Sequence, residues 1–147
     1  MRTDIMAKDY LQRAEVRITD ATNALERGDV PEAIRYSQEG VELSLKAALR
    51  LVAIEYPREH EVSDALLYHE ERFPTTFSHH FPKLARISKE LFLKRGPAMY
   101  GDEGKGIPPS ELFTKANAEQ ALQDARWVLA QVQAFFEAFF SVKPAKK

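Results

Sequence analysis

The sequence predicts an all-α protein, an antiparallel up-and-down bundle of about five helices, three long and two short. Three observations predict it. Apolar residues recur at steps of three and four over long stretches. Glycine and proline gather between those stretches rather than inside them. Nowhere do four or more residues alternate as a strand between turn signals.

The first helix covers residues 3–27. Leu11, Ala14, Ile18, Ala21 and Leu25 trace one apolar seam. Arg27-Gly28 closes it, with a basic last turn and then a glycine where a left-handed residue is needed. The gap to Asp29 has room only for an antiparallel hairpin.

The central helix covers residues 29–54. Asp29 and Glu32 have the spacing of a capping box, and Pro31 falls in the first turn, where a missing amide proton costs little. Glu32, Arg35, Glu39, Glu42, Lys46 and Arg50 form one polar strip. Ile34, Val41, Leu45, Ala48 and Val52 make one apolar flank; Tyr36, Leu43, Ala47, Leu51 and Ile54 make another. Two apolar flanks need two partners. One is expected within the subunit, the other in part on a second copy. Ser37, Gly40 and Ser44 are small enough to let a neighbouring helix come close.

The segment around Pro57 ends this helix, and Val62, Ala65, Leu66 and Leu67 predict a short helix after it. Residues 69–78 contain Pro74 and read as a connection. Phe77, Phe81, Leu84, Ile87 and Leu91 predict a fourth helix to about Lys94, with Pro82 in its first turn. Residues 95–110 are dense in glycine and proline and read as a long loop without regular structure, a place where function concentrates. Ser110 is the expected cap of the last helix. That helix carries a wide apolar face from Ala118 to Phe139. The adjacent rings Phe135-Phe136 and Phe139-Phe140 cannot all face one way, so some are expected to meet another surface.

Size and composition bound the function. At 147 residues one domain spanning 1–147 is expected, with a frayed basic tail at 143–147. The absence of cysteine excludes disulfides, thiolate metal sites and cysteine nucleophiles. A net charge of −1 argues against bulk polybasic binding of nucleic acid, though not against a local patch. No run has the length and apolarity of a membrane span, and the N-terminus lacks the apolar core of a signal peptide, so a cytoplasmic protein is expected.

Several features, in order, resemble the HEPN domain (higher eukaryotes and prokaryotes nucleotide-binding). They are Ala24-Leu25, the Gly28-Asp29 turn, the small-rich Glu39 to Leu49 run with Lys46-Ala47, and His60 before Val62, Leu66 and Leu67. In the back half Arg95, Tyr100-Gly101-Asp102 and the alanine-rich helix from Ala116 also fit. The resemblance spans about residues 5–140. It implies a helical bundle, commonly a homodimer, that deals with nucleotides or RNA. Many such domains are metal-independent ribonucleases with an Arg, four to six residues, then a His. There the His serves as general acid or base on the 2′-hydroxyl and the Arg stabilises the phosphorane. Others lack the pair and act as binding modules beside a minimal nucleotidyltransferase partner. No cofactor is implied.

At the matching place Arg95 is followed after four residues by Tyr100 rather than His. A binding module for a nucleotide, an RNA or a nucleotidyltransferase is therefore the first expectation. A toxin-like ribonuclease is the second, and a purely structural dimer the third. Arg72 and His79 satisfy the catalytic spacing, but earlier in the chain. Lys46 and Arg50, one turn apart, are either a phosphate-facing pair or a solvated face paired with Glu42. His60 either contacts a phosphate or base or caps the next helix. Arg95, Tyr100 and Asp102 would supply a phosphate contact, a stacking ring and a ribose or base contact. Alternatively, Tyr100 plugs the bundle end and Asp102 closes a turn. His69, His79 and His80 lack a recognised metal-ligand spacing, so no metal is expected.

Overall fold

The periodic stretches fold as helices in the computed structural model, which describes residues 3–56, 58 and 61–141. His60 and the tail 143–147 lie outside the described residues. The order is α1 (Thr3–Glu26), α2 (Val30–Leu51), α3 (Val62–Tyr68), a 3-10 turn (Glu70–Arg72), α4 (Thr75–Ser78), α5 (Phe81–Tyr100), α6 (Pro109–Leu112) and α7 (Lys115–Ser141). No strand occurs among the described residues; Asp102 and Ile107 form an isolated bridge.

The α1–α2 hairpin closes as its sequence requires. Gly28 sits at φ 80°, the Gly28 amide donates to Leu25 and the Asp29 amide to Ala24. Only half of the capping box forms. Asp29 Oδ1 accepts from the Glu32 amide at 3.2 Å, whereas Glu32 turns away to bind Arg35 at 2.8 Å. The better electrostatic partner wins, and the Arg35 bond holds the Glu32 carboxyl below its usual range.

α2 is the centre of the bundle, packed by α1, α7 and α5. Alanines 7, 14, 21 and 24 of α1 are fully buried, so the two backbones approach closely at Gly40. Ser37 and Ser44 are buried yet satisfied, each donating to the carbonyl four residues back at 2.7 Å. Ala47 and Leu51 of the second flank are buried inside this one chain. Tyr36 and Leu43 of the same flank are only partly buried. The large apolar side chains left exposed lie on α1, α3, α5 and α7, Phe139 and Phe140 among them.

Phe73, Phe77, Phe81 and Phe135 tie the start of α5 to α7, with Phe77 stacked on Phe135 at 4.6 Å. The fourth helix does not stop near Lys94. It runs through Gly96 and Pro97 to Tyr100, which makes it a long helix of 20 residues. Gly96 has no β-carbon to clash with the proline ring, and Ala98 is buried beyond it. The last helix is capped by Thr114 rather than Ser110, which lies in α6. Thr114 Oγ1 accepts from the Asn117 amide at 3.1 Å, and Asn117 Oδ1 accepts from the Thr114 amide at 2.9 Å. No helix of the described residues is long and apolar enough to cross a membrane.

Candidate functional site

The site is built by the end of α2. Ala53 stands at φ 58°, the left-handed region a helix C-terminus demands but usually gives to glycine. Its amide donates to Arg50 and the Ile54 amide to Leu49, which turns the chain sharply and buries Ile54. That turn brings Glu55, Tyr56 and Arg58 back beside the last turns of α2. Together with Tyr10, Glu42, Lys46, Arg50 and Val62 they line a polar cleft of about 530 Å³.

Three cations and two carboxylates line this cleft. Glu42 is shared: its Oε2 lies 3.9 Å from Lys46 Nζ and 4.0 Å from Arg95 Nη1 at the rim. Both separations are long, so neither cation is neutralised tightly. Lys46 Nζ also sits 5.6 Å from the centre of the Tyr56 ring. Burial pushes the Tyr56 phenol up to about 12, so the ring stays neutral across physiological pH. Arg50 Nε is buried with no hydrogen-bond partner among the described residues. A buried guanidinium N–H without a partner costs free energy, and an anion in the cleft would relieve it.

A second cavity of about 370 Å³ adjoins the first and shares Glu55 and Tyr56 with it. Its other lining residues are Glu61, Asp64, Ala65, Tyr68 and His69.

The residues singled out in the sequence divide between places. Lys46 and Arg50 meet in the cleft and Arg95 reaches its rim. Tyr100 and Asp102 do not join them; they line another hollow with Pro97, Leu112 and Phe113. Five residues along a helix turn a side chain well away from the first position, and α5 carries both Arg95 and Tyr100. Tyr100 is 62% exposed, so it does not plug the bundle end. Asp102 Oδ1 accepts from the Lys105 amide at 3.1 Å, the turn-closing arrangement. Arg72 donates to the Val52 carbonyl at the end of α2, while His79 Nδ1 faces the Thr75 carbonyl at 2.9 Å and its ring lies against His80. Their bonds thus run to different parts of the fold. Arg58 and Tyr56 also line the cleft, although the sequence singles out neither. Their only signal is their place beside Pro57 in the sequence.

The HEPN domain family profile matches residues 7–135, most of the chain. The chain belongs to the HEPN domain family. A Methanocaldococcus jannaschii protein named "Putative toxin MJ1304" is 29% identical over 143 residues, covering 93% of this chain and 92% of the relative. The crystal structure of TT1696 from Thermus thermophilus superimposes with a TM-score of 0.69 at 24% identity, covering 87% of this chain and 96% of that one. That likeness is one of fold. The HEPN scaffold here places its cationic cleft where the central helix ends.

Proposed function

We propose that this HEPN module is a toxin-like cytoplasmic protein that binds the phosphate of a nucleotide or RNA in the cleft of Lys46, Arg50 and Arg58, with Arg95 at its rim. One observation carries the reading. Arg50 Nε is buried beside two further cations and has no partner among the described residues, the cleft's carboxylates Glu42 and Glu55 included. A phosphate oxygen is the acceptor that would complete it. The Tyr56 ring beside Lys46 offers a face for the rest of the ligand. The similarity to the M. jannaschii protein named "Putative toxin MJ1304" supports the toxin-like part of the reading. The ribonuclease alternative gains nothing from Arg72, whose guanidinium caps α2.

The reading extends to assembly. The exposed Phe92, Leu93 and Met99 of α5 supply the apolar surface that a second copy or a nucleotidyltransferase partner would cover. Sedimentation of the isolated chain tests the homodimer, and co-purification with the neighbouring gene product tests the partner.

Equilibrium dialysis against labelled nucleotides tests the binding. Retention is expected in the wild type, falling steeply with salt and lost in Lys46→Ala and Arg50→Ala. No retention at millimolar ligand would overturn the reading.

A further inference from the structure

The cavity next to the cationic cleft has a chemistry of its own. Among the described residues three carboxylates line it, from Glu55, Glu61 and Asp64, and no lysine or arginine does. Two of the three are already committed. Glu61 accepts from the hydroxyls of Ser63 and Ser88, and Asp64 accepts from Lys89 Nζ at 2.9 Å. Glu55 makes no hydrogen bond or ion pair among the described residues and stands on the wall common to both cavities. The remaining described walls are Ala65 and the rings of Tyr56, Tyr68 and His69. Tyr56 is shared with the cleft, and Tyr68 is 80% exposed with its ring edge-on to His69.

We propose that this cavity is a base pocket selecting guanine, so that the site takes a guanine nucleotide, base against Tyr56 and Tyr68 and phosphate on Lys46 and Arg50. The inference rests on the phosphate reading above and names the ligand's other half. A carboxylate binds best to two N–H donors side by side. Guanine alone among the four RNA bases presents such a pair, N1–H beside the exocyclic amine. Adenine and cytosine set a ring acceptor beside their amine, which Glu55 repels. Uracil places one donor between two carbonyls. Stacking on tyrosine is tolerant of sequence, so discrimination falls to the free carboxylate. Because Glu55 and Tyr56 border both cavities, one nucleotide can reach into each.

Calorimetric titration of the full chain with GMP, AMP, CMP, UMP and guanosine tests this. GMP is expected to bind about ten-fold or more tightly than the other nucleotides. Glu55→Gln, at an exposed position that leaves the core intact, is expected to erase that preference, weakening GMP while AMP binds at least as tightly as in wild type. Guanosine is expected to bind weakly, to be lost in Glu55→Gln and to be unmoved by Lys46→Ala. Equal affinity for all four nucleotides, each lost in Lys46→Ala, would overturn the guanine pocket and leave the phosphate cleft standing. Guanosine binding as tight as GMP, indifferent to Lys46→Ala, would overturn the phosphate cleft and keep the base pocket. No binding of any of the five overturns both. A guanine-containing tetranucleotide distinguishes the source: tighter binding than GMP indicates RNA, weaker binding a free nucleotide, and the guanine preference holds in either case.

Discussion

Gly40 on α2 and Ile18 on α1 pack so closely that a β-carbon on Gly40 would lie 2.8 Å from Ile18 Cγ1 and 3.3 Å from its Cδ1. Ile18 is itself buried and has little room to yield. The small residue fixes how near the two central helices stand, and so where the end of α2 presents its cleft.

Gly40→Ala is therefore expected to destabilise despite the better helix propensity of alanine. Overpacking costs roughly 1–3 kcal/mol, and the propensity gain returns about 1 kcal/mol. Denaturant unfolding should show the loss, and in an Ile18→Ala background it should vanish or reverse. Equal losses in both backgrounds would show that the contact is not the cause.

Ala53→Gly is expected to stabilise. Ala53 holds φ 58°, which costs a residue with a β-carbon about 1–2 kcal/mol, while the extra chain freedom of an unfolded glycine takes back roughly 0.4–1 kcal/mol. A net gain of about 0.5–1 kcal/mol should appear as a higher melting temperature. Should the melting temperature fall, the strain at the end of α2 is not where the backbone angles place it.

The burial of His80 makes stability fall on the acid side. Burial first, then His79 and Lys83, holds its imidazole below the usual histidine value. The unfolded chain thus binds a proton that the folded chain resists. The contribution is full above the unfolded value of about 6.5 and is lost as pH falls through the lower folded value. Melting temperatures between pH 7.5 and 5 should decline less steeply in His80→Gln than in wild type. Parallel declines would remove His80 as the cause.

Most of the fold was legible because burial leaves a period. The alanine seam of α1 and the small residues of α2 specify a close helix pair, and Gly28 marks the turn between them. What misled was local chemistry that tertiary packing outweighs. Gly96-Pro97 reads as a break, yet the missing β-carbon at Gly96 and the burial of Ala98 carry the helix on to Tyr100. Ser110 reads as a cap, but Thr114 and Asn117 form the reciprocal bonds four residues later. The site was half legible. Lys46 and Arg50 announce themselves by sharing a helix face. Their partners come from beyond a left-handed alanine, a conformation whose usual sequence signal is glycine.

Glu42 governs how much of the cleft's positive charge is available. Its carboxylate lies about equally far from Lys46 and Arg95, 3.9 and 4.0 Å, and is half-buried at 26% side-chain exposure. At such distances near a surface the attraction is modest and screened by salt, yet it opposes an incoming phosphate directly. Glu42→Gln keeps the shape and removes the charge. Anion affinity, read with pyrophosphate or a nucleotide at low salt, is expected to rise about three- to ten-fold, on the order of 1 kcal/mol, and the gain should shrink as salt is added. Lys46→Ala in the same background should cancel it, because the freed ammonium is the group that profits. Unchanged affinity in Glu42→Gln would mean that phosphate does not approach this end of α2.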